Sequence, residues 1–291
     1  MSLSIAALIA NPAARKTSLK KIEEATRIIE KRGLTVKTYL TEKKGDGIPL
    51  AKKAIEEGAS LVIAAGGDGT FNEVMNGLLG ANIPMALLPM GTTNVLAKEL
   101  NIPEDTEGSI KTVLSGKEHI ISTGRLAFEG VERDFFLMAG IGFDAEAVYS
   151  VDKRLKRYSG KGGYIWSALK NLVNWNPSPL HVTVDGRSFT CYSLIICNGA
   201  KYGGHMKAAP NARLDEPVLY AVLMHGRRRL DVIRYAIGIL TGTHLRLKDV
   251  TYLRCSDITI EGNAHIQADG DYMGVTPARI TLSRDSLRLI Y

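Results

Sequence analysis

The sequence predicts two domains, an N-terminal α/β domain followed by a domain of antiparallel β-structure. A chain of 291 residues is long enough for two hydrophobic cores, since single domains commonly contain about 100–200 residues. The first third of the chain alternates apolar runs of strand length with stretches of helical periodicity, whereas from about residue 124 short β-rich runs are separated by turns. We therefore expect the domains to span residues 1–122 and 123–279.

Hydrophobic periodicity predicts four strands and two helices in the N-terminal domain. Apolar residues recur at helical spacing from Leu19 to Ile29, ahead of Gly33, which is typical of a helix with one apolar face. This alternation of strand and helix indicates a mostly parallel sheet with helices on both faces. The predicted strands are residues 3–10, 36–40, 61–65 and 85–88, and the second predicted helix is residues 50–57.

Turn dipeptides divide the second domain. Asp185-Gly186 lies between two β-rich runs, and an Asp-Gly pair is a favoured two-residue hairpin turn. Gly262-Asn263 lies between two further runs, so we expect a second hairpin there. Residues 164–173 are predicted to form a helix.

Composition limits the classes of protein to consider. Hydrophobic residues make up 45% and charged residues 23%, as in ordinary globular chains. The longest apolar runs, residues 3–10 and 218–224, are far shorter than the roughly 18 residues that suggest a membrane span, and the N-terminus does not resemble a secretion signal. We therefore expect a cytoplasmic protein with reduced thiols at Cys191, Cys197 and Cys255. The net charge of +7 favours an anionic partner, which charge alone leaves open between nucleic acid, nucleotide and an acidic membrane surface.

A predicted buried strand leads into the glycine-rich turn Gly66-Gly67-Asp68-Gly69-Thr70. Thr70 and Glu73 have the spacing of a capping box, which predicts that a helix begins at this turn. Backbone N–H groups and the positive end of the helix dipole attract phosphate there, and glycines let it approach closely. Asp68 adds a carboxylate suited to holding Mg²⁺ through water. A glycine-rich turn also occurs where no ligand binds, so the loop alone leaves both interpretations open.

Two further loops favour the phosphate site. Asn11-Pro12 follows the first predicted strand, and Pro89-Met90-Gly91-Thr92-Thr93-Asn94 follows the fourth. All three loops would meet at the carboxyl ends of parallel strands, where open α/β sheets bind ligands. The Walker sequence GxxxxGK[ST] and the GxGxxG fingerprint are both absent from the sequence, so neither common nucleotide-binding motif applies.

These loops resemble those of the diacylglycerol kinase catalytic-domain family, which includes sphingosine and ceramide kinases and many bacterial lipid kinases. The loop of residues 66–70 with Asn72-Glu73 is similar to the family's most specific motif, and residues 91–94 are similar to its second nucleotide loop. Further matches are residues 139–145, Lys156-Arg157, Gly160, Tyr164, Gly203-Gly204, Ala209-Pro210 and Asp269-Gly270-Asp271.

The resemblance implies a fold as well as a family. It implies a nucleotide-binding α/β domain similar to those of NAD kinases and phosphofructokinases, followed by a β-sandwich domain. It also implies an active site in the cleft between the two domains, and a last segment, residues 280–291, that returns to the first domain.

The resemblance also implies the roles of particular residues. Asp269 occupies the position of the general base in the family's DGE motif, in which Asp271 here replaces the usual Glu. Without the resemblance, Asp269-Gly270 would be interpreted as an ordinary hairpin turn. The nucleotide-binding residues are expected to be Asn11, Gly66, Gly67, Asp68, Gly69, Thr70, Glu73, Thr92 and Asp271, and the metal ligands Asp68 and Asp215.

The sequence departs from the family pattern at three places. Val95 stands where the family often has Asp, and a valine cannot bind metal. Tyr220 replaces the second Asp of an accessory Mg²⁺ site, which counts against a metal ion at Asp215. Ala14-Arg15 replaces the Ser-Gly expected after Asn11-Pro12.

The residues and the resemblance together predict an ATP- and Mg²⁺-dependent kinase that phosphorylates a hydroxyl of diacylglycerol or a similar lipid. We expect no nucleic-acid partner, allow for a homodimer, and expect peripheral contact with an anionic membrane surface. The basic residues for that contact would be Lys153, Arg154, Lys156, Arg157, Lys161 and Arg227-Arg228-Arg229, although such clusters are usually solvated surface. Two alternatives stay open: a kinase of a soluble metabolite such as NAD, and a non-catalytic protein that binds lipid or nucleotide.

Overall fold

The computed structural model describes residues 5–14, 16–150, 172 and 175–291. The chain divides into two units, one of residues 1–122 and 284–291 and one of residues 123–283. The predicted helix at residues 164–173, apart from Leu172, and the basic cluster at residues 153–161 lie outside the described residues, as does Arg15.

The described residues form twenty strands and seven α-helices. The strands are β1 (Ile5–Ala10), β2 (Thr35–Leu40), β3 (Leu61–Gly66), β4 (Met85–Pro89), β5 (Glu118–Ile121), β6 (Gly124–Phe128), β7 (Val131–Phe135), β8 (Met138–Ile141), β9 (Leu180–Val184), β10 (Arg187–Cys191), β11 (Ser193–Cys197), β12 (Lys201–Gly203), β13 (Met206–Lys207), β14 (Leu219–Met224), β15 (Val250–Cys255), β16 (Asp257–Glu261), β17 (His265–Ala268), β18 (Asp271–Val275), β19 (Ala278–Leu282) and β20 (Leu287–Ile290). The helices are α1 (Leu19–Glu30), α2 (Gly47–Glu56), α3 (Asp68–Leu78), α4 (Val95–Glu99), α5 (Thr106–Ser115), α6 (Phe143–Tyr149) and α7 (Arg229–Thr241). Within the described part of the chain, no helix is both long enough and apolar enough to span a bilayer.

The first unit is built on one six-stranded sheet with the order β2-β1-β3-β4-β20-β5. Its strands are parallel except for β5, which pairs antiparallel with β20. Every residue of β3 and β4 is buried, as expected for central strands covered on both faces. The predicted α/β class is therefore confirmed for this unit.

Two helices of the first unit were not predicted, and one begins earlier than expected. The missed helices are α4 and α5, which contain five and ten residues and have weak helical periodicity. Asp105 accepts a hydrogen bond from the N–H of Gly108 and caps α5. Helix α2 begins at Gly47 rather than at residue 50 because the side chain of the distant Glu73 binds the N–H groups at its start.

The second unit is a β-sandwich, as predicted. One sheet has the order β10-β9-β16-β19-β6-β7 and the other the order β15-β14-β11-β8-β17-β18, and all neighbouring strands in both are antiparallel. A single apolar core takes residues from both sheets, among them Ile258 and Ile280 from the first and Ile196 and Leu223 from the second. Burial of the two inner faces against each other holds the sandwich together.

One of the two predicted hairpins forms and the other does not. Val184 pairs with Arg187 across Asp185-Gly186, whose φ angles of 44° and 80° suit a two-residue hairpin loop. By contrast, β16 and β17, on either side of Gly262-Asn263, pair in different sheets, so the predicted second hairpin is wrong. The chain crosses from one sheet to the other at this point. Apolar and polar residues alternate in the same way in a hairpin and in a crossing between sheets, so the sequence pattern does not distinguish the two.

A buried ion pair lies at the start of the second unit. The guanidinium of Arg125 donates to both carboxylate oxygens of Asp134, at 2.7 and 3.1 Å, and Ser283 donates to the same carboxylate at 2.9 Å. The Asp134 side chain is only 2% exposed. This ion pair therefore ties β6 and β7 to the last residue of the unit.

We predict that Arg125→Met lowers the free energy of unfolding by about 3 kcal/mol, because it removes the guanidinium that pairs with the buried carboxylate of Asp134. Urea denaturation measures this loss. Arg279→Met is the matched control, because Arg279 forms a similar bidentate ion pair with Asp257. The side chains of Arg279 and Asp257 are 61% and 43% exposed, so this change should lower the free energy of unfolding by less than about 1 kcal/mol. Equal losses in the two variants would contradict the prediction.

Candidate active site

The glycine-rich turn joins β3 directly to α3. The helix begins at Asp68 with Gly67 as its N-cap, and no side chain caps it. The predicted capping box of Thr70 and Glu73 is therefore wrong, because Thr70 already lies within the first turn of the helix. A glycine N-cap leaves the N–H groups of the first helical turn without a capping side chain, as an anion-binding helix start requires.

The glycines of this turn have different surroundings. A Cβ atom on Gly66 would lie 2.5 Å from the hydroxyl oxygen of Thr70, and one on Gly67 would lie 3.2 Å from the Cα atom of Gly91. A Cβ atom on Gly69 would meet no atom within 4 Å. Gly66 and Gly67 are therefore required by packing, whereas Gly69 borders open space.

The loop after β4 packs against this turn. The N–H of Met90 donates to the carbonyl oxygen of Gly66 at 2.7 Å, and a Cβ atom on Gly91 would lie 2.5 Å from the Cα atom of Gly67. Buried Asn94, with a left-handed φ of 48°, accepts from the N–H of Gly91 at 3.0 Å and donates to its carbonyl oxygen at 3.2 Å. The loop is thus closed by its own side chain, and Thr92 is exposed at its tip.

Asp68 connects the two loops. Its carboxylate accepts a hydrogen bond of 3.1 Å from the N–H of Leu96 and thereby caps α4. Burial raises the pKa of Asp68 above its usual value, and the N–H groups of Leu96 and Val95 oppose that rise. Val95 is 9% exposed, and its apolar side chain offers no ligand for a cation.

Asn11 brings the third loop to the same place. Its N–H donates to the carbonyl oxygen of Ala65 at 2.9 Å, and its side-chain amide lies 3.4 Å from the hydroxyl of Thr70. The structure therefore places Asn11, residues 66–70 and residues 90–94 together at the carboxyl ends of β1, β3 and β4. Ligands bind at this edge in open parallel sheets.

Glu73 is not in this group. It is 7% exposed, and its two oxygens accept hydrogen bonds from the N–H groups of Gly45 at 2.8 Å and Gly47 at 3.0 Å. A Cβ atom on Gly47 would lie 2.6 Å from the Cβ atom of Glu73. The carboxylate therefore holds the start of α2. The expected contact of Glu73 with the nucleotide stays a prediction.

Asp269 lies in a two-residue turn between β17 and β18 of the second unit. Ala268 pairs with Asp271 across it, and the φ angles of Asp269 and Gly270 are 48° and 83°. The carboxylate of Asp269 accepts three backbone hydrogen bonds, from the N–H groups of Phe136 at 2.7 Å, Leu137 at 2.9 Å and Met138 at 3.0 Å. These three donors fix its orientation.

Asp185-Gly186 forms a second turn of the same kind. Its φ angles of 44° and 80° match those of Asp269-Gly270, and the carboxylate of Asp185 accepts from the N–H groups of Ser256 and Asp257 at 3.2 and 3.0 Å. An Asp-Gly turn whose carboxylate binds remote backbone N–H groups is thus a structural device that this unit uses twice. Turn geometry alone does not identify a catalytic residue.

A polar network that the sequence did not predict supports the Asp269-Gly270 turn. Gln267 accepts from the N–H of Gly270 at 2.8 Å and donates to the carboxylate of Asp144 at 2.6 Å, which also accepts from the hydroxyl of Tyr202. Burial raises the pKa of Asp144, although both hydrogen bonds act to lower it. Asp144 lies in the segment 139–145 singled out by its sequence, whereas no sequence pattern pointed to Gln267.

The predicted metal ligand Asp215 is exposed and is already bound by a cation. The guanidinium of Arg213 donates to both of its oxygens, at 3.0 and 2.8 Å. Tyr220 stacks on Tyr252 with the ring centroids 5.3 Å apart. Within residues 5–14, 16–150, 172 and 175–291, no cluster of three or more His, Cys, Asp or Glu side chains could hold a metal ion.

Comparison with known proteins covers nearly the whole chain. The diacylglycerol kinase catalytic domain matches residues 5–126, and the YegS C-terminal NAD kinase beta sandwich-like domain matches residues 138–291. The diacylglycerol kinase of Bacillus subtilis is 30% identical over 94% of this chain and 91% of its own length. The diacylglycerol kinase of Staphylococcus aureus is 29% identical over 94% of this chain and 88% of its own length.

Two solved structures from Bacillus anthracis share the fold. One, provisionally assigned as a diacylglycerol kinase, has a TM-score of 0.82 at 22% identity and covers 100% of this chain and 96% of its own. The other, described as a diacylglycerol kinase, has a TM-score of 0.73 at 19% identity and covers 100% of this chain and 98% of its own. At these identities the two structures support the fold alone.

We predict that Asp269→Asn lowers the free energy of unfolding by about 1–3 kcal/mol, because an amide nitrogen would face at least one of the three backbone N–H donors. Chemical denaturation measures the loss. Asp185→Asn is the matched control in the twin turn, and its exposed position should limit the cost to about 1 kcal/mol. A fully stable Asp269→Asn variant would show that the three hydrogen bonds contribute little.

Proposed function

This chain belongs to the diacylglycerol kinase family, and we propose that it transfers the γ-phosphate of ATP to a hydroxyl of diacylglycerol or a similar lipid. Family membership makes it a kinase, a phosphotransferase that uses ATP and an alcohol acceptor. The observation that carries the proposal is the start of α3, where a glycine N-cap and the open space beside Gly69 offer room for phosphate.

The first unit supplies the proposed phosphate contacts. The backbone N–H groups of Gly67, Gly69 and Thr70 would hold ATP phosphates at the positive end of α3, and Gly66 has no side chain to collide with Thr70 in this turn. The amide of Asn11 and the hydroxyl of Thr92 lie on the two neighbouring loops and would add contacts from either side. Phosphoryl transfer requires mainly that the reacting oxygens be positioned and that the phosphate charge be neutralised.

A divalent cation normally accompanies ATP, and we propose Mg²⁺. Asp68 fits as a ligand through water, because a half-buried carboxylate at the phosphate loop gains from a nearby cation and has lone pairs besides the one that accepts from Leu96. The ion would neutralise phosphate charge. Asp215 does not fit this role, because Arg213 already binds both of its oxygens.

The second unit supplies the proposed base. The carboxylate of Asp269 would accept the proton of the lipid hydroxyl, and the N–H groups of residues 136–138 would keep it in one orientation for that step. A weakly basic carboxylate suffices when the transition state is loose. Asp271 begins the next strand, and we propose that it contacts the nucleotide.

The acceptor defines where the enzyme works. We propose that the enzyme is cytoplasmic, because ATP is available in the cytoplasm. It would reach its lipid by peripheral contact with an anionic membrane surface. The net charge of +7 supports such contact. A homodimer is compatible with this activity.

Labelled ATP and a panel of acceptors test the function. Diacylglycerol, sphingosine and ceramide in mixed micelles should be compared with NAD in solution, each with Mg²⁺, Mn²⁺ or chelator. Label transfer to a lipid and its loss with chelator are expected. Transfer to NAD alone would favour a metabolite kinase, and ATP binding without transfer to any acceptor would favour a non-catalytic protein.

We predict that Gly69→Ala weakens ATP binding about tenfold or more, because the added methyl group enters the space proposed for phosphate. The same change should leave the fold intact or stabilise it by up to about 1 kcal/mol, since alanine is the better helix former. Titration calorimetry and thermal unfolding measure the two effects. Gly66→Ala is the contrast, because its Cβ atom would collide with Thr70 and destabilise the loop. Unchanged ATP affinity in Gly69→Ala would contradict the phosphate assignment.

We predict that Asp269→Asn lowers kcat by about 10²- to 10⁴-fold, because the amide cannot accept the proton of the acceptor hydroxyl. The Kd for ATP should stay near that of the parent. Asp185→Asn disturbs a turn of the same geometry and should keep kcat within about threefold of the parent. If both variants lost activity in proportion to their loss of stability, Asp269 would be a structural residue.

A further inference from the structure

Helix α7 carries apolar side chains on its solvent-facing side as well as on its buried side. Val232, Tyr235, Gly238 and Ile239 are buried. Leu230, Ile233, Ile237 and Leu240 are 74%, 38%, 54% and 65% exposed. The exposed four are spaced by three, four and three residues, so they form one stripe along the helix, which we call the α7 stripe. A contiguous exposed stripe of this kind marks an interaction surface more often than scattered apolar residues do.

Basic residues precede and follow helix α7 in the sequence. Arg227, Arg228 and Arg229 are exposed at the start of the helix, and Arg246 and Lys248 are exposed just after its end. Positive charges at a helix N-terminus oppose the helix dipole, so three arginines are not placed there to stabilise the helix. The nearby acidic side chains, Asp231 and Asp249, are both bound by Arg234. Helix α7 and the segments at its two ends therefore carry a net positive charge.

We propose that the α7 stripe is the membrane-docking surface of this protein and that its occupant is an anionic lipid bilayer. The helix would lie in the plane of the interface, with the four aliphatic side chains among the acyl chains and the arginines at the level of the headgroups. This proposal rests on the proposed function, since a kinase of a membrane lipid must reach a hydroxyl at that depth.

A bilayer fits this surface better than a second copy of the chain. Stable dimers bury about 800 Å² and 20–30 residues on each partner, whereas the stripe has four partly exposed side chains on one helix of thirteen residues. The net positive charge of the helix and its flanking segments would also repel the same surface of a second copy. Anionic headgroups are complementary to that charge.

Sedimentation with vesicles tests the apolar part of the surface. Ile237→Ser with Leu240→Ser should lower the partition coefficient on phosphatidylglycerol–phosphatidylcholine vesicles about tenfold or more. Val131→Ser with Ile120→Ser is the matched control, because those side chains are 53% and 65% exposed elsewhere on the protein. The control should bind as the parent does. Parent-like binding of the Ile237/Leu240 variant, with its unfolding midpoint unchanged, would overturn the proposal.

Charge substitutions test the basic part. Arg227→Gln with Arg229→Gln should weaken binding to anionic vesicles and leave the weak binding to pure phosphatidylcholine unchanged. The difference in binding between parent and variant should shrink when salt is added, because charges are screened beyond about 10 Å at 0.1 M ionic strength. Lys52→Gln with Lys53→Gln removes the same charge from an exposed part of α2. Equal loss in both variants would show that only net charge matters and would overturn the assignment to α7.

A fluorescent label tests insertion directly. The native Cys191, Cys197 and Cys255 are buried, so a cysteine introduced by Leu240→Cys can be labelled selectively with an environment-sensitive dye. Its emission should shift to shorter wavelength on anionic vesicles, and the same dye after Ile120→Cys should not respond. No shift at position 240 would overturn the proposal.

Activity and oligomeric state separate the remaining explanations. The Ile237/Leu240 variant should keep the kcat of the parent on a short-chain, water-soluble diacylglycerol and lose activity only on vesicle-borne lipid. A parent that phosphorylates no lipid would refute the proposed function, and the vesicle measurements would still decide the docking surface. A parent dimer that becomes monomeric in the variant, with vesicle binding unchanged, would make the stripe an interface between copies and overturn the proposal.

Discussion

The close approach of Gly67 and Gly91 is the constraint on which the candidate phosphate site depends. No side chain fits between the two loops, since a Cβ atom on Gly91 would lie 2.5 Å from the Cα atom of Gly67. This contact brings the starts of α3 and α4 close enough for Asp68 to cap α4 through Leu96. The glycines therefore divide into two kinds. Gly66, Gly67 and Gly91 permit packing, and Gly69 alone in the 66–70 turn faces open space, where phosphate is proposed to bind.

The two Asp-Gly turns of the second unit show how little local conformation says about chemistry. Asp185 and Asp269 have nearly the same φ angle, and both carboxylates accept hydrogen bonds from remote backbone N–H groups. They differ in their surroundings. Asp269 adjoins the network of Gln267, Asp144 and Tyr202, whereas Asp185 is exposed and binds Ser256 and Asp257 at a strand end. Because the turn itself serves a structural purpose in both places, the family resemblance, and not the geometry, singles out Asp269.

Helix α7 illustrates a limit of periodicity. Its apolar residues cover more than one face, so the sequence pattern does not tell which of them pack inward. In the structure, Tyr235 packs inward and its hydroxyl accepts from the N–H of Gly226 at 2.7 Å. With Tyr235 on the buried side of the helix, Leu230 and Leu240 lie on the outside. An apolar residue on a helix therefore becomes core or surface only when the neighbouring backbone is in place.

The sequence by itself determined the class of each unit and the position of the glycine-rich turn between β3 and α3. Strand and helix periods, an Asp-Gly hairpin at residue 185 and a glycine run after a buried strand are local features, and local sterics and burial decide them. The N-cap of α3 is Gly67 instead of the predicted Thr70, a difference of less than one helical turn. These features needed no knowledge of distant residues.

Tertiary structure decided what depends on remote partners. Glu73 was predicted to cap its own helix, yet it binds Gly45, 28 residues earlier, because the start of α2 packs against α3 and supplies backbone N–H groups. At Gly262-Asn263 the chain crosses from one sheet to the other rather than closing a hairpin. The alternation of apolar and polar residues is the same in both arrangements, so the sequence does not distinguish them. The N–H groups that hold Asp269 belong to Phe136, Leu137 and Met138, which precede it in the chain by 131 to 133 positions. Buried backbone N–H groups need hydrogen-bond partners, and these long-range pairings satisfy that need. A local sequence pattern does not predict them.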